Sequence, residues 1–175
     1  ILKEYPVDPQ RIYVTGISNG GMMAHKLGIM LANRIAAIAP VAATLFGDET
    51  TPQYPVSALM LNGMLDKSVP YEGGPPGGYG KNAWDDLPAK PAREQAVFWA
   101  SANGCKHIPE RAVQEAFILS LYLCPAGSAV EMYSIKDNGH AWPGGQQGWR
   151  KGDTPSSSLN GTDTIWAFFK AHKNQ

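Results

Sequence analysis

The sequence predicts an α/β fold, a mainly parallel sheet of about four strands flanked by helices. Three observations predict it. Apolar, β-branched runs alternate with segments of helical period, and parallel strands need such crossovers. An apolar run, Arg11-Ile12-Tyr13-Val14-Thr15, passes through Gly16-Ile17-Ser18-Asn19-Gly20 straight into a helical segment. Strand, G-x-S-x-G, helix is the context of a nucleophile elbow. The chain has 175 residues, 43% hydrophobic and 17% charged, which suits a single domain, residues 1–175, with a real core.

Asp8-Pro9-Gln10 is a turn, and residues 11–16 form the first strand. A helix follows from Gly20 to Leu31, and Met23, Leu27, Met30 and Leu31 at helical spacing are expected to face the sheet. The small-residue run 36–42 reads as a second strand and 56–63 as a third. Ala92 to Ala102 reads as a helix with Val97, Ala100 and Trp99 inward. Residues 130–135 alternate as a fourth strand. A last helix starts near Thr162, with Ile165, Phe168 and Phe169 on its inner face.

Lys+Arg and Asp+Glu are equal at 15 each, so no charge excess points to nucleic acid or an anionic membrane. The longest apolar stretches are far too short to span a bilayer. The two cysteines, Cys105 and Cys124, lack a Cys-x-x-Cys or clustered histidine pattern, so no metal site is expected. Spacing alone leaves them open as buried thiols or as a disulfide. A disulfide would contribute roughly 3 kcal/mol in the chain-entropy model.

In open α/β sheets, sites gather beyond the carboxyl ends of the strands. Ser18 follows the first strand, Asp66 the third and His140 the fourth. Ser, Asp, His is the chain order of the α/β-hydrolase triad. Ser18 would be the nucleophile and His140 its base, with Asp66 holding the imidazole tautomer. The backbone N–H of Asn19 would donate to the oxyanion. The glycines flanking Ser18 are expected because a Cβ there would collide with the adjoining strand or helix. His25 reads as a packing or surface residue, and His107 and His172 as loop and tail. Glu72 is the one stand-in for the acid, and Asp85-Asp86 suit a solvated turn.

Several segments together resemble the secreted feruloyl esterase and polyhydroxybutyrate depolymerase-like α/β-hydrolases. Residues 8–23 resemble that family's elbow, and Asn62-Gly63-Met64-Leu65-Asp66 with Lys67-Ser68-Val69-Pro70-Tyr71 its acid loop. Phe98-Trp99 with Asn103-Gly104-Cys105 resembles its next helix and half-cystine. Gly139-His140-Ala141-Trp142-Pro143-Gly144-Gly145 resembles its histidine loop, and Ile165-Trp166-Ala167-Phe168-Phe169 its closing helix. The resemblance implies a serine carboxylesterase working through Ser18, Asp66 and His140, without cofactor or metal. It implies a Cys105–Cys124 disulfide and a secreted or periplasmic location. It favours feruloyl or acetyl esters of plant cell-wall polysaccharide, or other short-chain esters, with small or polymeric substrates. Polyhydroxyalkanoate depolymerisation is the alternative, for which Tyr79, Trp84 and Trp149 could present aromatic surface. A non-catalytic carbohydrate- or partner-binding remnant is a further one. Trp142, beside His140, would wall the substrate pocket or pack in the core.

The chain departs from that pattern in two ways. Asn62 stands where the family usually has His. The family's first strands, and the loop giving the second oxyanion N–H, have no counterpart, so the expectation is an N-terminally truncated α/β-hydrolase. Loss of one oxyanion donor typically costs about 2.7–4 kcal/mol in the barrier. An elbow strand without its neighbour would leave an open edge, so a homo-oligomer or a separate N-terminal fragment is expected.

Overall fold

The computed structural model describes residues 4–77, 87–125, 127–148 and 152–174. Tyr79, Trp84, Asp85, Asp86 and Trp149 lie outside the described residues. The elements run β1 (Tyr13–Ile17), α1 (Asn19–Met30), β2 (Ala37–Val41), β3 (Ser57–Gly63), α2 (Ala92–Ala102), β4 (Glu110–Val113), β5 (Phe117–Tyr122), β6 (Val130–Ile135) and α3 (Gly161–Ala171).

The sheet has six strands in the order β1-β2-β3-β6-β5-β4. β1, β2, β3 and β6 are parallel neighbours, whereas β5 pairs antiparallel with β6 and β4 with β5. The sheet is therefore mixed, and the expected four parallel strands are its larger part. The hairpin β4–β5 is the correction. Its tight connection, with Gln114 N–H donating to the Phe117 carbonyl, runs through Glu115-Ala116. It holds none of the Gly, Asn or Pro residues that announce a hairpin turn.

Strand residues alternate between two apolar clusters, as a period of two requires. Val14, Ile38, Met60 and Met132 face α1 and α2, while Tyr13, Ala39, Leu61 and Ile135 face α3. Helices thus cover both faces. On α3, Ile165, Phe168 and Phe169 are buried as expected. Asn160 caps that helix by accepting the Asp163 N–H at 3.1 Å.

Two helices are turned differently from expectation. On α1 the buried residues are Gly21, Ala24, His25 and Gly28. Met23 and Met30 are exposed. The small residues let the helix lie close on the sheet: a Cβ on Gly28 would come 2.9 Å from Ile38 Cγ2. On α2, Trp99 and Ala100 are buried but Val97 is exposed, and Gln95 takes an inner position. Leu27 still packs against the core, and a buried polar network explains the inward places of His25 and Gln95. Trp99 Nε1–H donates to His25 Nδ1 (2.9 Å), and His25 Nε2 lies 2.6 Å from Gln95 Oε1. Gln95 Nε2–H₂ donates to the Ala43 carbonyl and to Asn62 Oδ1.

Cys105 and Cys124 form a disulfide, S–S 2.00 Å. It ties the end of α2 to the strand end beyond β5, so the segment it closes contains the β4–β5 hairpin.

Candidate active site

Ser18 sits between β1 and α1 with φ 57° and ψ −124°. That is a sparsely populated conformation for a residue with a side chain, costing on the order of 1–3 kcal/mol. The turn is held on both sides. Ser18 N–H donates to the Val41 carbonyl of β2, and its own carbonyl accepts Met22 N–H at 2.9 Å. A Cβ on Gly16 would lie 2.6 Å from the Gly20 carbonyl carbon, so the turn demands glycine there. Gly20 has open space where its Cβ would be, contrary to the expectation that both flanking glycines are sterically required. The second close approach belongs to Gly21, whose Cβ would lie 2.7 Å from Ala43 Cβ. Asn19 opens α1, so its N–H lies among those without an intrahelical acceptor.

Asp66 follows β3 and His140 follows β6, and these strands are neighbours. Gly63, the last residue of β3, brings the two loops together. A Cβ there would strike the peptide group of Asn138, with the carbonyl carbon 2.6 Å away. That closeness lets Leu65 N–H donate to the Asn138 carbonyl and Met64 N–H to the Ile135 carbonyl. His140 Nδ1 then lies 2.8 Å from Asp66 Oδ2. Asp66 Oδ1 accepts Ser68 N–H and Val69 N–H, each at 2.8 Å. The carboxylate is an acceptor on both oxygens, so Nδ1 carries the imidazole proton and Nε2 keeps a lone pair. The Asp66 side chain is buried, and that of His140 is 22% exposed.

The histidine loop is itself braced. His140 N–H donates to Asp153 Oδ2 at 2.6 Å. Asn138, buried, donates to the Gly139 and Ala141 carbonyls and accepts Ser156 N–H. No hydrogen bond joins Ser18 Oγ to His140 among the described residues. Ser18 belongs to the edge strand, with β2 standing between β1 and β3.

The other candidates fall elsewhere. Glu72 is exposed and paired with Arg93 at 2.7 Å. His107 is exposed, and His172 ends α3 with Nδ1 2.7 Å from the Phe168 carbonyl. Trp142 packs against the cluster beneath α3 and donates Nε1–H to Thr162 Oγ1 at 3.0 Å. His25 is buried, and desolvation lowers its pKa to about 4, the Gln95 hydrogen bond acting the other way. Sequence reasoning missed the brace Asp153 and the His25–Gln95 link. Neither belongs to a motif, and each is defined by a partner distant in sequence. Among the described residues no His, Cys, Asp and Glu group is placed to hold a metal ion. None of their helices is long and apolar enough to cross a membrane.

The strained Ser18 turn and the Asp66–His140 pair both lie at the carboxyl ends of strands of one sheet. No family model matches the chain. It is 33% identical over 153 residues to feruloyl esterase B of Piromyces equi, a match covering 82% of this chain and 27% of that protein. It is 27% identical over 139 residues to a bifunctional acetylxylan esterase/xylanase of Neocallimastix patriciarum, covering 79% of this chain and 19% of that one. The chain is therefore similar to esterases over most of its own length, and it spans well under half the length of either relative.

Proposed function

We propose that this chain is a serine carboxylesterase with Ser18 as nucleophile, His140 as general base and acid, and Asp66 as its orienting carboxylate. The observation that carries the reading is the Asp66–His140 contact at 2.8 Å, facing the same sheet end as the strained Ser18. In this reading Ser18 Oγ attacks the ester carbonyl carbon while His140 Nε2 takes the hydroxyl proton. The developing oxyanion accepts the Asn19 N–H. Collapse expels the alcohol, which leaves with the proton from Nε2. Water then attacks the acyl-serine by the same route and releases the acid. Apo geometry of such pairs is often long, so Ser18 and His140 would close on substrate.

Likeness to a feruloyl esterase and an acetylxylan esterase favours feruloyl or acetyl esters of plant cell-wall polysaccharide. Trp142, partly exposed beside His140, would wall the site from the α3 side. The disulfide fits an oxidising compartment, so we place the protein outside the cytosol, secreted or periplasmic. Turnover of p-nitrophenyl acetate and butyrate tests the activity. Ser18→Ala should abolish it together with covalent labelling by a fluorophosphonate, and Asp66→Asn should lower kcat about 10⁴-fold. Labelling that persists in Ser18→Ala would assign the nucleophile to another residue.

A further inference from the structure

The outward methionines of α1 do not lie on a flat surface. They form one wall of a groove of about 730 Å³, opposite Phe46 and Leu87. The groove begins at Asn19, the residue after Ser18, and follows Met22, Met23 and Met30 along the helix. Asn19 to Met30 is about 16 Å at helical rise. The volume is of the size that holds a small molecule.

Of the polar groups bordering the groove, Glu49, Thr44 and His25 are committed elsewhere, while Asn19, Asp48 and Thr50 lie along it with the methionines. The Glu49 carboxylate accepts Phe46 N–H and Gly47 N–H at 2.7 and 2.8 Å. Thr44 Oγ1–H is directed to the Leu45 and Lys90 carbonyls. Both ring nitrogens of His25 are held by Trp99 and Gln95. Lys26, on the same stripe, can lay its methylene stem along the wall with its ammonium in water. The surface left for a ligand is mainly apolar and, through the methionines, deformable. Met23 and Met30 are 53% and 68% exposed, an unusual cost for a helix whose sheet side is lined with small residues.

We propose that this groove is an acyl-chain site: it seats an extended alkyl chain of medium length, on an ester whose carbonyl lies at the Asn19 N–H. The inference rests on the Ser18 reading above. An acetyl group would leave the groove empty, so within the proposed ester hydrolysis the groove selects longer alkyl acyl groups over the acetyl esters that the relatives' names favour. Each methylene fully buried favours binding by about fourfold. Four extra methylenes, half-buried in an open groove, should give octanoate roughly a fifteenfold advantage in kcat/KM over butyrate.

The test has two arms. In the first, sodium octanoate is added to protein carrying ¹³C-methyl methionine. Signals of Met22, Met23 and Met30 should shift, and those of Met64 and Met132 should stay. No shift at millimolar octanoate, or equal shifts at all six methionines, would overturn the proposal whether or not the protein is an enzyme. In the second, kcat/KM is measured for p-nitrophenyl acetate, butyrate and octanoate with the wild type, Met23→Glu and Met30→Glu. The octanoate-to-butyrate ratio should fall about tenfold in the variants, both substitutions being at exposed positions. Ser18-dependent turnover with an unchanged ratio would refute the groove and keep the esterase. Turnover that is absent, or that survives Ser18→Ala, would refute the esterase reading and with it the acyl assignment.

Discussion

Acid should loosen this fold through one buried histidine. Trp99 can only donate, so its bond to His25 Nδ1 fixes that nitrogen as an acceptor. Nε2 then carries the proton and donates to Gln95 Oε1. A second proton would go onto Nδ1, setting donor against donor in a site with 2% exposure. Burial accordingly lowers the His25 pKa from 6.5 to about 4. Between those values the unfolded chain binds a proton that the native chain refuses. The stabilisation is complete above pH 6.5, falls by about 1.4 kcal/mol per pH unit below it, and levels off near pH 4. The total is of the order of 3 kcal/mol, a large share of a typical domain's stability. Urea unfolding at pH 7 and pH 4 should show this loss for the wild type over and above that of His25→Phe, in which carboxylate titration is common to both. Parallel pH profiles would refute the reasoning. If the variant does not fold, ¹H–¹³C spectra decide: the His25 ring signals should stay fixed from pH 7 to 5.

Gly63→Ala should drive the acid loop off Asn138 and destroy esterase activity, whereas Gly20→Ala, with open space at its Cβ, should keep the fold and gain about 0.4–1 kcal/mol in urea unfolding. Equal behaviour of the two variants would show that the close approach at Gly63 is not what joins Asp66 to His140. Thiol titration of denatured, unreduced protein should find no free cysteine, and reduction should cost roughly 3 kcal/mol for a closed segment of this length. We propose that the unpaired side of β1 is completed by a second copy of the chain or by a separate N-terminal segment. Light scattering with intact mass giving a monodisperse 18.9 kDa species would refute both.

Much of the parallel part of the sheet was legible because its signals are local. β1, β2, β3 and β6 are bounded apolar runs, and the elbow carries its own strand and helix. The triad candidates follow from strand ends. The inversion of α1 was not legible, because a helix with methionines at one spacing and Gly21, Ala24 and Gly28 at another offers two faces. Hydrophobicity favours the first, but close packing on Ile38 and Ala43 selects the second. The sequence left His25 open between packing and surface and did not single out Gln95, since their satisfaction depends on each other across 70 residues. The β4–β5 hairpin was hidden by a turn without turn residues.

The division between local and distant signals also runs through the site. Asp66 and His140 are joined by adjacent strands, by backbone bonds between their loops and by the space Gly63 leaves. Ser18 has none of these. It hangs from the edge strand and reaches the rest of the site through Val41 on one side and α1 on the other. The ladder turns Val14, Gly16 and Ser18 toward β2, so Tyr13, Thr15 and Ile17 direct their backbone N–H and C=O groups to the open edge. α1 in turn is fixed to α2 and to the end of β3 through His25, Gln95 and Asn62. The position of Ser18 relative to His140 is therefore set by two restraints, the Val41 bond and α1, which the His25 network holds. Both act on Ser18 and neither is a hydrogen-bond partner of the Asp66–His140 pair. Loosening either should lower the rate of acylation while leaving the tautomer of His140, which Asp66 fixes, unchanged.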